Sequence, residues 1–164
     1  MKYDKLDLGC SNKKPEGYIG VDINDFFYPK DEFVKCDINN RLPFNDNAFI
    51  EVRALQVIEH IRNDNKVNFL NEVYRILKVG GLFIAEFPPP MGADGNMSAS
   101  YFTDPTHCAW WMPGTFWCFC ASFRANEKEH EQAYVKGYGI KTNFEMHNYS
   151  WINNELFHVE LKRY

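Results

Sequence analysis

The chain has 164 residues, of which 45% are hydrophobic, 24% charged and 16% aromatic, and it carries a formal net charge of −4. That is one domain's worth of chain with enough apolar content for a packed core, which sets aside a disordered or multi-domain protein. The acidic balance argues against a broad electrostatic grip on nucleic acid, and no run approaches the roughly 18 apolar residues of a membrane span.

The elements follow in chain order. Short, largely apolar segments bounded by Gly, Pro, Asn or Asp predict strands at 3–9, 18–23, 32–38, 48–55 and 81–88, of the kind that become buried parallel strands. Between the fourth and fifth, Val67, Leu70, Val73, Tyr74 and Leu77 recur at helical spacing and predict a helix over Asn63–Lys78. Asn63 or Asp64 is its expected cap and Gly80–Gly81 its expected stop. A second helix is predicted from Pro113 through "GTFWCFCASFRANEKEH". Strands at 143–152 and 156–164 close the chain, with Asn153–Asn154 between them as a tight hairpin turn. The pattern is a single α/β domain over 1–164: a nucleoside-binding part at 1–90, a substrate region at 91–125 and a C-terminal hairpin at 140–164.

Three acids stand at strand ends: Asp7 before Gly9, Asp22 in "GVDI" and Asp37 in "KCDI". Ligands of open parallel sheets bind beyond the carboxyl ends of the strands. Gly9 admits close backbone approach, Asp22 is placed to accept both hydroxyls of a ribose, and Asp37 an exocyclic amine. The start of the chain, "MKYDKLDLGC", has no apolar stretch of the secretory kind. Cys10, Cys36, Cys108, Cys118 and Cys120 show no repeated C-x-x-C spacing and read as reduced thiols of a cytoplasmic protein. No metal site is expected from the thiols and His107.

"LDLGCS", "GVDI", "KCDINNRLPFNDNAFIEVRALQVIEHI" and "EVYRILKVGGLFIAEFP" together resemble a class I S-adenosylmethionine-dependent methyltransferase of the small-molecule, type 11 kind, over about residues 5–90. The resemblance implies a Rossmann-like seven-stranded sheet ordered 3-2-1-4-5-7-6 with strand 7 antiparallel. It implies S-adenosylmethionine as cofactor, with Asp7, Gly9, Cys10 and Ser11 beside its methionine part. Asp22 would take the ribose, with Ile23 against the adenine; Asp37 and Ile38 would meet the adenine edge and face. Leu55 and Gln56 would floor the site near the sulfonium, and Glu59 and His60 match the family's "EH" pair, with a catalytic or a bracing role. "DPTHCAWW" resembles a segment near the substrate in relatives, which makes His107 the candidate general base, with Asp104 either capping the local turn or orienting His107. Trp110, Trp111, Phe116 and Trp117 are candidates for an aromatic substrate wall or for core.

The sequence departs from the family's pattern in its first half. Only residues 10–17 separate the first two strands, too few for a helical crossover, and the next connection is as brief. A sulfonium cofactor carries no phosphate and depends less on a helix terminus than a dinucleotide does, so a reduced crossover suits this cofactor. The expected activity is methyl transfer to a small-molecule or carbohydrate-like acceptor. A non-catalytic cofactor-binding or partner subunit is the rival, and a cofactor-cleaving enzyme a third reading. No membrane or nucleic-acid partner is expected, while a second copy or a partner subunit would suit the uncovered cofactor.

Overall fold

Short apolar runs between Asp, Asn and Gly turns become seven strands of one sheet in the computed structural model, which describes residues 3–124 and 137–164. The strands are β1 (Lys5–Leu8), β2 (Ile19–Asp22), β3 (Phe33–Lys35), β4 (Phe49–Leu55), β5 (Leu77–Phe87), β6 (Phe144–Trp151) and β7 (Phe157–Arg163). Their order is β3-β2-β1-β4-β5-β7-β6, with β7 antiparallel to both its neighbours. This is the expected α/β, mostly parallel arrangement, its switch in strand order lying between β1 and β4.

No helix joins β1 to β2 or β2 to β3. The loop after β1 is held instead by one side chain, Lys14, only 5% exposed. Its ammonium pairs with Glu32 at 3.2 Å and donates to the carbonyl of Tyr18 at 3.0 Å, while its amide donates to the Tyr28 hydroxyl at 3.0 Å. A buried ammonium is tolerated only when so paired. Close packing completes the join, because a Cβ on Gly20 would lie 2.6 Å from the sulfur of Cys10.

Alternation along the central strands gives the sheet two unlike faces. Val52, Ala54, Phe83, Ala85, Phe87, Val159 and Leu161 are buried in the core. They share it with Phe69, Leu70, Val73 and Ile76 of helix α1 (Lys66–Ile76). The alternate residues carry polar pairs: ion pairs of Arg53 with Asp7 and of Lys5 with Glu51, and hydrogen bonds of His158 with Glu86 and Glu160.

Three expectations are corrected. The first helix begins later, since Asn63–Asn65 form a 3₁₀ turn, and Asn65 at its N-cap makes no side-chain cap. It also ends without glycine: Leu77 is already extended and pairs with Phe49. Gly80, with φ of 80°, instead belongs to a bulge where pairing jumps from Phe49↔Leu77 to Glu51↔Leu82. The second helix is broken into α3 (Pro113–Trp117) and α4 (Ala121–Arg124), following the single turn α2 (Ala99–Phe102). The break lies at Cys120, which bridges to Phe144 while the Phe119 carbonyl accepts from the Phe144 amide at 3.1 Å. The rest of that helix, from residue 125, falls outside the described residues. The hairpin turn is wider than Asn153–Asn154. Residues 152–156 form the loop, with the Asn153 carboxamide oxygen accepting from the amides of Glu155 and Leu156 at 2.8 and 2.9 Å. Among the described residues no helix is long and apolar enough to cross a membrane.

Candidate functional site

At the carboxyl ends of β1–β4 lies a cavity of about 250 Å³, lined by residues of four separate loops. Gly9 and Asp22 come from the β1 and β2 tips with Ile23 beyond them. Cys36, Asp37, Ile38 and Asn39 follow β3, and Gln56, Val57 and His60 follow β4. Gly9 has φ of 64°, and a Cβ there would sit 2.2 Å from Cγ2 of Val57. The loop after β1 is therefore pressed against the turn after β4, and only glycine fits. Gln56 is left-handed too, at φ of 57°, with its amide tied to the Glu86 carbonyl at 2.8 Å. Such strain in a non-glycine residue is concentrated at functional sites.

Asp22, 9% exposed, is positioned by the backbone. Its Oδ2 accepts from the Ser11 amide at 3.0 Å and its Oδ1 from the Asn24 amide at 2.9 Å. Oδ1 accepts from the Asn24 carboxamide as well, at 3.4 Å, so with two lone pairs per oxygen it is Oδ2 that keeps an acceptor site for a ligand's hydroxyl. Asp37 receives both the amide and the carboxamide of Asn39 on a single oxygen, Oδ1, at 2.9 and 3.0 Å. Asn39 in turn accepts from the Arg62 amide at 2.9 Å and, on its carbonyl, from Asn65 at 2.8 Å, which anchors the β3 loop to the turn after β4.

The cavity thus brings together Gly9, Asp22, Ile23, Asp37, Ile38, Gln56 and His60. Asp7, Cys10, Ser11 and Leu55 stand outside its lining. Asp7 is buried and its carboxylate is held by Arg53 through two bonds, 2.7 Å from Nε and 3.1 Å from Nη2. Burial raises its pKa, against the lowering effect of that guanidinium. Cys10 points under the loop toward Gly20, and burial, with the charges of Asp7 and Asp22, pushes its thiol up to about 12. Ser11 contributes its amide to Asp22 instead. Cys36, Asn39 and Val57 are lining residues that sequence reasoning missed. The D-x-N spacing of Asp37 and Asn39, typical of an Asx turn, was the available signal; Val57 gave none.

Beside the cavity, the turn Ile58–His60 meets the 104–109 loop. Cys108 and Ala109 both donate their amides to the Glu59 carbonyl at 2.9 Å, and Trp111 Nε1 donates to the Ile58 carbonyl at 2.6 Å. This locks His107 beside His60, with ring centroids 4.9 Å apart. His107 Nδ1 lies 2.8 Å from the Tyr101 carbonyl, which can only accept, so the proton is on Nδ1 and the lone pair on Nε2. Asp104 accepts from the Thr106 hydroxyl at 2.6 Å and from its amide at 2.8 Å, capping the local turn; its distance from His107 Nε2 is 3.7 Å, too long for a hydrogen bond. Glu59 is 1% exposed, and burial pushes its carboxyl up to about 8. The four aromatic candidates divide. Trp111 and Phe116 are core, stacked with centroids at 5.2 Å, Trp117 packs on Tyr149, and Trp110 is exposed.

The cavity thus lies where the strand order reverses, with acids after adjacent strands around a glycine turn, the place where open parallel sheets bind their ligands. Residues 6–85 match the family model of the methyltransferase domain. Its fold is similar to a SAM-dependent methyltransferase from Archaeoglobus fulgidus, at a TM-score of 0.63 and 16% identity over 98% of this chain and 86% of that one. A SAM-dependent methyltransferase from Thermotoga maritima, described as a possible histamine N-methyltransferase, gives 0.61 and 14% over 98% and 82%. A geranyl diphosphate C-methyltransferase from Streptomyces coelicolor, solved with Mg2+, geranyl diphosphate and S-adenosyl-L-homocysteine, gives 0.56 and 12% over 98% and 70%. At these identities the likeness is one of fold. No curated protein matches in sequence.

Proposed function

We propose that this protein, in the cytoplasm, moves the methyl group of S-adenosylmethionine to a small-molecule or carbohydrate-like acceptor. The observation that carries the reading is the pair Asp22, at the tip of β2, and Asp37, two residues past the end of the neighbouring β3, lining one cavity with Gly9. In this reading Asp22 takes the ribose hydroxyls, Asp37 the adenine amine, and Ile23 and Ile38 the adenine faces. Ile23 is 59% exposed at the rim, an apolar surface suited to cover by a flat ring. Gly9 and Gln56 flank the methionine part, with Asp7, Cys10, Ser11 and Leu55 supporting the loops from behind.

A sulfonium is already an activated donor, so alignment of donor and acceptor supplies much of the rate. The proton lost by the acceptor goes to Nε2 of His107, whose lone pair is fixed by the Tyr101 carbonyl. His60 and Glu59 complete that end of the site. Calorimetry with S-adenosylmethionine and S-adenosylhomocysteine tests the reading. Saturable heat is expected, abolished in Asp22→Ala with the fold retained; no heat at millimolar ligand overturns it. The acceptor is then sought by following S-adenosylhomocysteine release across a panel of sugars and phenols.

A further inference from the structure

Glu59, His60 and His107 each present one ligand atom, and these atoms lie within 4.8 Å of one another. The three residues come from two loops 47 positions apart, joined by the backbone bonds from Cys108 and Ala109 to Glu59. We propose that they form a binding site for a divalent transition ion of the zinc class.

The tautomers support this first. His107 donates its Nδ1 proton to the Tyr101 carbonyl. His60 Nδ1 lies 3.1 Å from Thr106 Oγ1, and the Thr106 hydroxyl proton is committed to Asp104 at 2.6 Å. Thr106 Oγ1 therefore accepts, His60 is protonated at Nδ1, and both rings carry their lone pairs on Nε2. Histidine ligands are held this way in metal centres, where a carbonyl or a carboxylate-linked group fixes the outer nitrogen.

The third member supplies the independent observation. Glu59 is 1% exposed, and its Oε2 has no hydrogen-bond partner among the described residues. A buried carboxyl oxygen left without a partner is costly, and a cation between it and two imidazoles removes that cost. The Tyr101 hydroxyl, whose ring packs 5.3 Å from that of His107, is a second buried polar atom without a partner there.

Two imidazoles and one carboxylate suit zinc or ferrous iron better than magnesium or calcium, and they leave at least one position open. Bonds of about 2.1 Å require ligand atoms about 3.4 Å apart in tetrahedral geometry, so the set closes by a shift of about an ångström. His60, exposed, is free to make that shift. His60 also lines the nucleoside cavity, so the open position adjoins it. The ion, when bound, takes the lone pair that an unloaded His107 offers to a proton. The site stands on this geometry and not on the methyl-transfer reading.

The test is calorimetric titration of chelator-treated full-length protein with Zn2+, alongside Co2+ followed by visible absorption. One ion per chain is expected, with a cobalt spectrum free of thiolate charge transfer. His60→Asn and His107→Asn should each weaken binding by more than the roughly 10–100-fold that loss of an outer-shell partner costs, and Thr106→Val by about that amount. Cys108→Ser should bind as the parent does. Absence of saturable binding overturns the proposal, as does a thiolate band or binding indifferent to both histidine substitutions. His60 is exposed, so His60→Asn remains decisive if Glu59→Gln fails to fold. Titration of the same sample with S-adenosylhomocysteine shows separately whether the cofactor reading stands.

Discussion

Gly9 is where the site is least tolerant of change. Its left-handed backbone costs an L-residue about 1–2 kcal/mol, and a Cβ would drive into Val57, adding an overpacking cost of about 1–3 kcal/mol. Gly9→Ala should lower the melting temperature and weaken S-adenosylhomocysteine binding. Adding Val57→Ala should recover the overpacking part of the loss in the same thermal scan, but not the backbone part. Cys10 and Cys108 form a contrasting pair. With its thiol pushed up to about 12 and the residue 5% exposed, Cys10 holds almost no thiolate at pH 8. Peptide mapping after brief iodoacetamide treatment should find exposed Cys108 carboxamidomethylated and Cys10 unmodified.

The loop between β1 and β2 shows what replaces a lost helix. Lys14→Met removes the donor that reaches Glu32 and the Tyr18 carbonyl. Stranding those acceptors should cost about 1–3 kcal/mol, read as a shift of the urea midpoint at unchanged slope. The absence of helices here was legible from loop length alone, whereas the strand order came only with the family resemblance, since apolar runs mark strands and not their neighbours. The peg was not legible, since a lysine in a polar loop looks like any solvated lysine until the fold buries it. The broken second helix escaped for a similar reason. Its local spacing is helical, but pairing of Cys120 with β6, 24 residues on, overrides local propensity. In the site, that Asp22 and Asp37 share one cavity was readable from their places after strands, while the pairing of Asp7 with Arg53 was not, because Arg53 comes from a strand 46 residues away.

Across the whole molecule, the two sheet faces divide the labour. One is apolar and supplies the core, while the other is held by ion pairs crossing from strand to strand. Asp7→Asn leaves Arg53 without its carboxylate, and breaking a buried pair costs about 3–5 kcal/mol, discounted here because Arg53 is 24% exposed. A clear drop in melting temperature is expected, with S-adenosylhomocysteine affinity changed by less than about tenfold, 1.4 kcal/mol. A large affinity loss without destabilisation would place Asp7 at the ligand instead. Removing helical crossovers also has a consequence for how the chain folds. Leu8 pairs with Val21, a separation of 13, whereas Glu86 meets His158 across 72 residues. Closing the shorter loop costs about 1.5 kcal/mol less entropy. Parallel pairing, ordinarily among the slowest contacts to form, is here made nearly local. The nucleoside-binding edge should therefore gain amide protection in pulsed hydrogen exchange before β7 joins the sheet.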